Sequence, residues 1–437
     1  MLELLTTGLV SVWLEMAGVE PSANEAIELL VGPPIPGLVF GKEGDAIAER
    51  RLQQYLQGLT AGGMSANSQG IWIQSDYQLL ADNQGTIPRP AASITKVATS
   101  LASLLVWGID HQFETRIKTA GSIANGVLQG DLIVEGSNDP FFVWEEAIAL
   151  GNALNQLGIR RVTGNLIISG SFVMNFDGDR ASSGRQLKQT LDSSQWSREI
   201  EEYYWKMAPG TPKPQVAIAG TVRLQSDPVK TAKLAIRHQS LPLVALLKQM
   251  NIYSNNQMAQ MLADALGGAQ KVRTLAARAA GVPLAEIQLI NGSGLGQENQ
   301  ISPRAAVALF MAIDRYIQPH SLNLSDVFPV AGRDGGTMDY RNIPQGAIVK
   351  TGTLWDVSAL AGVLPTKDKG QVWFAVINGG GDYVLTFREE QDRLLNQLLQ
   401  DWQTSLLPPS ALNRARRDRL KSLNIGDASR NELLWGG

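Results

Sequence analysis

"PRPAASITKVATS", residues 88–100, brings two prolines and two alanines up to Ser93 and sets Lys96 three positions beyond it. From Ser93 to Trp107 the run "SITKVATSLASLLVW" carries Ile94, Val97, Leu101, Leu104 and Leu105 along one stripe at helical spacing, which predicts a helix packed inside a domain. Gly108 ends it. Residues three apart are neighbours on a helix face, so the amine of Lys96 can reach the hydroxyl of Ser93. A serine hydroxyl is a poor nucleophile until a base takes its proton. A lysine is that base only when neutral, which requires burial or a second positive charge nearby. The start of a helix helps, because its positive potential disfavours the protonated amine and its N–H groups can hold an oxyanion. A capping serine followed by an exposed lysine would explain the same spacing, and about one Ser-x-x-Lys arises by chance in a chain of this size.

Two further motifs change the balance. In "AIVKTGTL" (347–354), Lys350, Thr351 and Gly352 interrupt a strand pattern, and a glycine inside a strand marks close approach of another backbone or a ligand. Lys350 is a candidate for the second cation. Between the two motifs, "YSNNQMAQMLADALG" (253–267) sets Ser254 and Asn256 at the start of an apolar-periodic helix. Ser-x-Asn also opens at Ser22, Ser65, Ser321, Ser422 and Ser429. Of these, Ser321 alone falls between the other two motifs, and no long amphipathic helix follows it.

Composition narrows the chemistry. The 437 residues are 44% hydrophobic and 18% charged, an ordinary globular balance with room for two or three domains. With 38 basic and 41 acidic residues the net charge is −3, which speaks against a nucleic-acid partner. Cysteine is absent, so any nucleophile is an oxygen or an amine. His111, His238 and His320 are scattered without metal-ligand spacing, so neither a metal nor another cofactor is expected. Residues 1–41 hold no Lys or Arg, and the apolar run Gly8 to Leu14 is short and followed by Glu15. Neither a secretory signal nor a spanning helix is convincing there, and peripheral membrane contact is left open.

Along the chain, 1–36 reads as an N-terminal segment ending in a breaker-rich linker, with the folded body starting near Gly37. Helical periodicity and strands over 37–111 and 236–405 flank a module, 112–235, of short strands with the helix "EEAIALGNALNQLG" among them. Within it, 182–215 is polar with Tyr203, Tyr204 and Trp205 close to "PGTPKP". Residues 406–437, with the basic run "NRARRDRLK", read as a solvated tail. The expected fold class is α/β (α+β): a main domain split by a smaller inserted α+β domain.

The ordered set Ser93-x-x-Lys96, Ser254-x-Asn256, Lys350-Thr351-Gly352 resembles the motifs of penicillin-binding proteins and serine β-lactamases. More narrowly, the chain resembles the D-alanyl-D-alanine carboxypeptidase/endopeptidases of the class C low-molecular-mass penicillin-binding proteins. "FETRI", "GDLIVEGSNDP", "VTGNLII", "NGSGLG" and "VAGRDGGTMDYR" carry this resemblance, from about Gly70 to Trp402. It implies a β-lactamase-like transpeptidase domain with Ser93 as nucleophile and Lys96 as base. It implies Ser254 as a proton relay to the leaving amine and Asn256 as a substrate hydrogen-bonder. Lys350 with Thr351, Gly352 and Thr353 would receive the substrate's terminal carboxylate, and the backbone N–H groups of Ser93 and Thr353 would form the oxyanion hole. Implied partners are peptidoglycan stem peptides and β-lactam antibiotics as inhibitors, in the periplasm.

The sequence departs from that pattern in three places. The insertion is short, Asn291 stands where the family usually has aspartate, and 182–215 has no clear match to the loop that shapes the side-chain pocket. A β-lactamase or esterase using the same motifs is the enzymatic alternative, and no deacylating glutamate loop can be placed for it. An inactive peptidoglycan-binding scaffold is the other, and the intact Ser93, Lys96 and Lys350 argue against it.

Overall fold

A computed structural model describes residues 37, 39, 44–76, 78–226, 232–403, 405 and 424–434. The expected segment 1–36 and the basic run at 413–421 lie outside them. By internal contacts the chain forms two units. One takes the described residues up to Ile109 and from Leu247 to 405; the other takes Asp110–Leu246 and the described residues 424–434.

In the first unit, the carboxylate of Asp45 accepts from the N–H groups of Ile47 and Ala48 and so caps helix α1, Ala46–Ala61. Its spacing puts Ala48, Leu52, Tyr55, Leu56 and Leu59 on one buried face. Further helices are α2 (Thr95–Trp107), α3 (Leu243–Tyr253, which belongs to this unit from Leu247 on), α4 (Asn256–Ala265), α5 (Ala269–Ala280), α6 (Pro303–Ile317) and α7 (Val384–Trp402). Five antiparallel strands, β1 (Gln69–Ser75), β2 (Gln78–Asn83), β3 (Ile348–Thr353), β4 (Ser358–Pro365) and β5 (Gln371–Asn378), form a sheet in the order β3-β4-β5-β1-β2. Strand alternation sends Ile71 and Ile73 into a core with Leu52 and Leu59 of α1 and Phe387, Leu395 and Trp402 of α7. The opposite face of β1 meets α6, where Gln74 Nε2 lies 3.3 Å from Met311 Sδ. Both faces of the sheet are covered, and β3 is its edge strand, paired among the described strands with β4 and bridged at Ile348 to Val330.

The second unit is built on a mixed sheet. The hairpin Glu114–Ala124 and Val127–Ser137 pairs antiparallel, and Val127–Ser137 then runs parallel to Leu166–Ser171. Helix Trp144–Gln156 packs Ala147, Ile148, Leu150 and Leu154 into its core. The polar segment 182–215 begins inside one helix, Arg180–Thr190, and contains a second, Arg198–Tyr204.

Two expectations about this unit are corrected. Residues 236–239 belong to it and not to the flanking domain, because the strand Lys233–Gln239 pairs with Glu114–Ala124. Within the expected tail 406–437, the described residues 424–434 are packed and not solvated. Asn431–Leu433 forms a strand antiparallel to Ile236–His238, Arg430 is buried in an ion pair with Glu146, and Asn431 Oδ1 lies 3.0 Å from His238 Nδ1. Buried hydrogen-bonding groups and a cross-strand register hold these residues in place.

Candidate active site

Ser93 lies in a 3-10 turn, Ala92–Ile94, that runs directly into α2 at Thr95. The turn is entered through Ala92 at φ 47°, a left-handed conformation that an alanine adopts only under local constraint. Packing supplies that constraint. A Cβ on Gly294 would sit 1.8 Å from the carbonyl oxygen of Ala92, and one on Gly352 would lie 3.1 Å from both Ala92 Cβ and Ser93 N. The glycine that interrupts β3 is thus the point where the strand presses against the turn holding the serine.

Lys96 is fully buried, and its Nζ lies 2.8 Å from Ser93 Oγ, 2.7 Å from Asn256 Oδ1 and 2.7 Å from the carbonyl oxygen of Ser293. Burial pulls its proton affinity down from 10.5 to about 7. Among the described residues no carboxylate is in ion-pair distance of it. Lys350 is also fully buried, with Nζ donating to Ser254 Oγ (2.9 Å) and to the carbonyl of Thr351 (2.8 Å). Its pKa is driven well below the ordinary lysine value, first by burial and then by repulsion from Lys96. The sequence suggested that the second amine would keep the first uncharged. Burial is the larger cause at both amines, and the repulsion between them, which is mutual, adds to it.

Ser254 sits between α3 and α4 at φ 52°. It does not cap α4. That role belongs to Asn255, whose side chain accepts from Met258 N at 3.0 Å. The hydroxyl of Ser254 is left for Lys350, and Asn256, at the first position of α4, reaches Lys96. Thr351 and Thr353, two apart on β3, share a face; Thr351 Oγ1 donates to Thr337 Oγ1 at 2.7 Å.

Two loops complete the surroundings. In "NGSGLG", Asn291 Oδ1 accepts from Ser293 N, Ser293 Oγ and Gly294 N, while its Nδ2 donates to the carbonyl of Leu295. This Asx turn aims the Ser293 carbonyl at Lys96 and needs no charge, so asparagine can organise it. The loop bearing Thr337 is tied to α3 by Lys248, whose Nζ bonds to Asp334 Oδ2 (2.6 Å) and to the Phe328 carbonyl (2.5 Å).

Over residues 52–189 and 206–398 the chain matches the D-Ala-D-Ala carboxypeptidase 3 (S13) family. The chain belongs to that family. As an S13 member it is a hydrolase, a serine-type D-Ala-D-Ala carboxypeptidase by class. It is 24% identical over 400 residues to the D-alanyl-D-alanine carboxypeptidase DacB of Haemophilus influenzae, covering 69% of this chain and 83% of that protein. It is also 24% identical to the carboxypeptidase Rv3627c of Mycobacterium tuberculosis, covering 67% and 71%. Among solved structures, the penicillin G-acylated predatory endopeptidase Bd3459 of Bdellovibrio bacteriovorus, bound to the immunity protein Bd3460, aligns with TM-score 0.65 at 22% identity, covering 76% of this chain and 91% of that one. Penicillin-binding protein 4 (dacB) of H. influenzae aligns with TM-score 0.58 at 21% identity, covering 78% and 99%. These structures place the S13 member in the penicillin-binding-protein fold.

Ser93, Lys96, Ser254, Asn256 and Lys350 are joined by the contacts above, with Gly352 against the serine turn and Thr351 and Thr353 on the same edge strand. Sequence reasoning overlooked Ser293, Thr337 and Arg388, whose Nη2 donates to Thr353 Oγ1 at 2.8 Å. Ser293 contributes a main-chain carbonyl, for which no side-chain pattern exists. "NGSGLG" and "VAGRDGGTMDYR" were visible as segments, but a turn and a loop gave no sign of which atom would face the lysine or the threonine.

Proposed function

We propose that Ser93 is the nucleophile of a D-Ala-D-Ala carboxypeptidase/endopeptidase that acts on peptidoglycan stem peptides outside the cytoplasm, in the periplasm, and that penicillins acylate the same residue. The observation that carries this reading is the set of partners around Lys96 Nζ. Asn256 Oδ1 and the Ser293 carbonyl can only accept, so they take the two N–H bonds of a neutral amine. Its lone pair is then left for the O–H of Ser93, which is the arrangement a general base requires.

In acylation, Ser93 Oγ attacks the carbonyl carbon of the scissile D-Ala-D-Ala bond while its proton passes to Lys96. The N–H groups of Ser93 and Thr353 receive the oxyanion, a reading supported by the close approach of Gly352, next to Thr353 in the chain, to Ser93 N. The C–N bond then breaks. The departing D-alanine amine takes a proton through Ser254, whose hydroxyl is oriented by Lys350. Asn256 Nδ2 has no protein partner among the described residues and is placed to donate to the acyl-side amide. Water attacks the ester, returns a proton to the site and releases the shortened peptide. A β-lactam follows the first half of this course, and its ester persists. No helix among the described residues is long and apolar enough to cross a membrane.

A fluorescent penicillin is expected to label the full chain covalently and to leave Ser93→Ala unlabelled; equal labelling of both removes the nucleophile assignment. Incubation with a muramyl pentapeptide should release free D-alanine, whereas cleavage confined to cross-linked dimers would restrict the activity to endopeptidase.

A further inference from the structure

Ser254 and Lys350 come from separate segments, and a proton relay that uses both works only while their spacing holds. Ser254 follows the end of α3, Lys350 lies on β3, and their side chains meet at 2.9 Å. Among the described residues no main-chain hydrogen bond runs directly from 252–256 to β3. The segment "VAGRDGGTMDYR", residues 330–341, supplies the bridge.

Its first residues extend the edge of β3: Val330 is bridged to Ile348, and Ala331 N donates to the Ala347 carbonyl. The segment then crosses to α3. There Asp334 Oδ2 takes Lys248 Nζ at 2.6 Å, and one helical turn further on the Ile252 carbonyl accepts from Thr337 N at 3.3 Å. Gly336, at φ 82°, permits this approach, since a Cβ there would sit 2.4 Å from the Ile252 oxygen. Thr337 is also the residue whose hydroxyl accepts from Thr351. One residue thus touches the helix two positions before Ser254 and the strand one position after Lys350.

The far end of the segment is held by charge. The side chains of Arg341 and of Asp392 on α7 are nearly sealed from water and pair in a fork, Nη2 to Oδ1 at 2.7 Å and Nε to Oδ2 at 3.1 Å. Asn342 N donates to the same carboxylate at 2.8 Å, and Arg341 Nη2 also reaches Gln391 Oε1 at 2.9 Å. Arg341 N donates to the Met338 carbonyl at 2.9 Å and Gly336 N to Asp339 Oδ2 at 3.1 Å, so the turn carries this anchor back to Thr337. A buried ion pair gains little net stability over apolar residues of the same volume, whereas its two parallel bonds fix a direction.

We propose that Arg341 and Asp392 are positioning residues for protonation of the leaving group: acting through Thr337, they hold the end of α3 against β3 so that Ser254 stays within reach of Lys350 and of the departing amine. The inference rests on the reading of Ser93 as nucleophile and Ser254 as relay.

The test compares two substrates of the full chain, an N-acyl-D-alanyl-D-alanine peptide and the thioester in which D-thiolactate replaces the terminal D-alanine. Both end in the same carboxylate, but a thiolate departs without needing a proton. Ser254→Ala sets the reference, losing the peptide activity far more than the thioester activity. Asp392→Asn is expected to lower kcat/KM for the peptide roughly 10- to 100-fold, as a misplaced reacting group does, and to leave the thioester within about threefold of wild type. Thr337→Val, which keeps the buried pair and so the fold, should move the peptide-to-thioester ratio the same way by about 3- to 10-fold. A ratio unchanged from wild type in either folded variant, whether both rates fall together or neither does, makes the pair a structural support and overturns the proposal. A wild-type chain that turns over neither substrate overturns the serine-peptidase reading itself. One that turns over both, while Ser254→Ala loses them equally, removes the relay alone and the positioning role with it.

Discussion

Both units bury charged side chains, and the cluster around Glu146 in one treats them in the opposite way to the lysine pair of the other. In the insertion, Arg430 and Glu146 are both nearly sealed from water and are paired with each other, with Gly426 N donating to the same carboxylate. Asp139 and His238 lie in the same cluster, where burial raises Asp139 to about 7 and lowers His238 to about 4. In the peptidase unit, Lys96 and Lys350 are buried with hydrogen bonds but, among the described residues, without a counter-ion. The first arrangement neutralises charge by pairing and fixes a strand. The second removes charge by desolvation and so creates a base. A buried lysine without a carboxylate is a poor way to stabilise a fold, and its presence beside a hydroxyl points to chemistry.

Substituting each centre should give opposite results. Lys96→Met is expected to reduce acylation by penicillin at least about 1000-fold, as loss of a positioned general base does, while the melting temperature stays at or above that of wild type. A chain that melts several degrees lower would make Lys96 a structural residue after all. Glu146→Leu should do the reverse. It strands a buried guanidinium and should destabilise the insertion by about 3–5 kcal/mol in chemical denaturation. Acylation by penicillin, assayed well below the new transition, should change little, and a loss of activity matching the loss of stability would erase the contrast between the units. The smallest effect is graded by pH. With Lys96 at about 7, the neutral base predominates above that value and is protonated below it. The acylation rate should therefore be level in mildly alkaline buffer and fall about tenfold per pH unit in the acid range. A profile flat down to pH 5 would show that the amine does not take the proton.

How far the sequence could be read depended on the kind of atom involved. The Ser93–Lys96 spacing and the glycine in β3 were legible because helix period and strand packing each constrain residue type. The helix after Ser254 was legible too, but not its cap, since Ser254, Asn255 and Asn256 are all plausible cap residues and only geometry separates them. The Ser293 carbonyl was invisible, because every residue has one. Arg388 was invisible as well: on α7 it reads as one more polar position of an amphipathic helix, and its partner is 35 residues away on a strand. The last strand escaped for the plainest reason. Asn431–Leu433 is too short to show alternation, and its register with Lys233–Gln239 is set by partners such as Arg237 and Glu432, 195 residues apart.

That closing strand bears on how the molecule is made. During synthesis the hairpin and helix of the insertion emerge early, yet the edge at Ile236–His238 has no partner until Asn431–Leu433, some 195 residues further on, has been translated. Completion of the sheet thus waits for that distant segment, and a nascent chain stalled or truncated just short of Arg430 would carry Glu146 without its guanidinium and an unprotected edge open to other polypeptides.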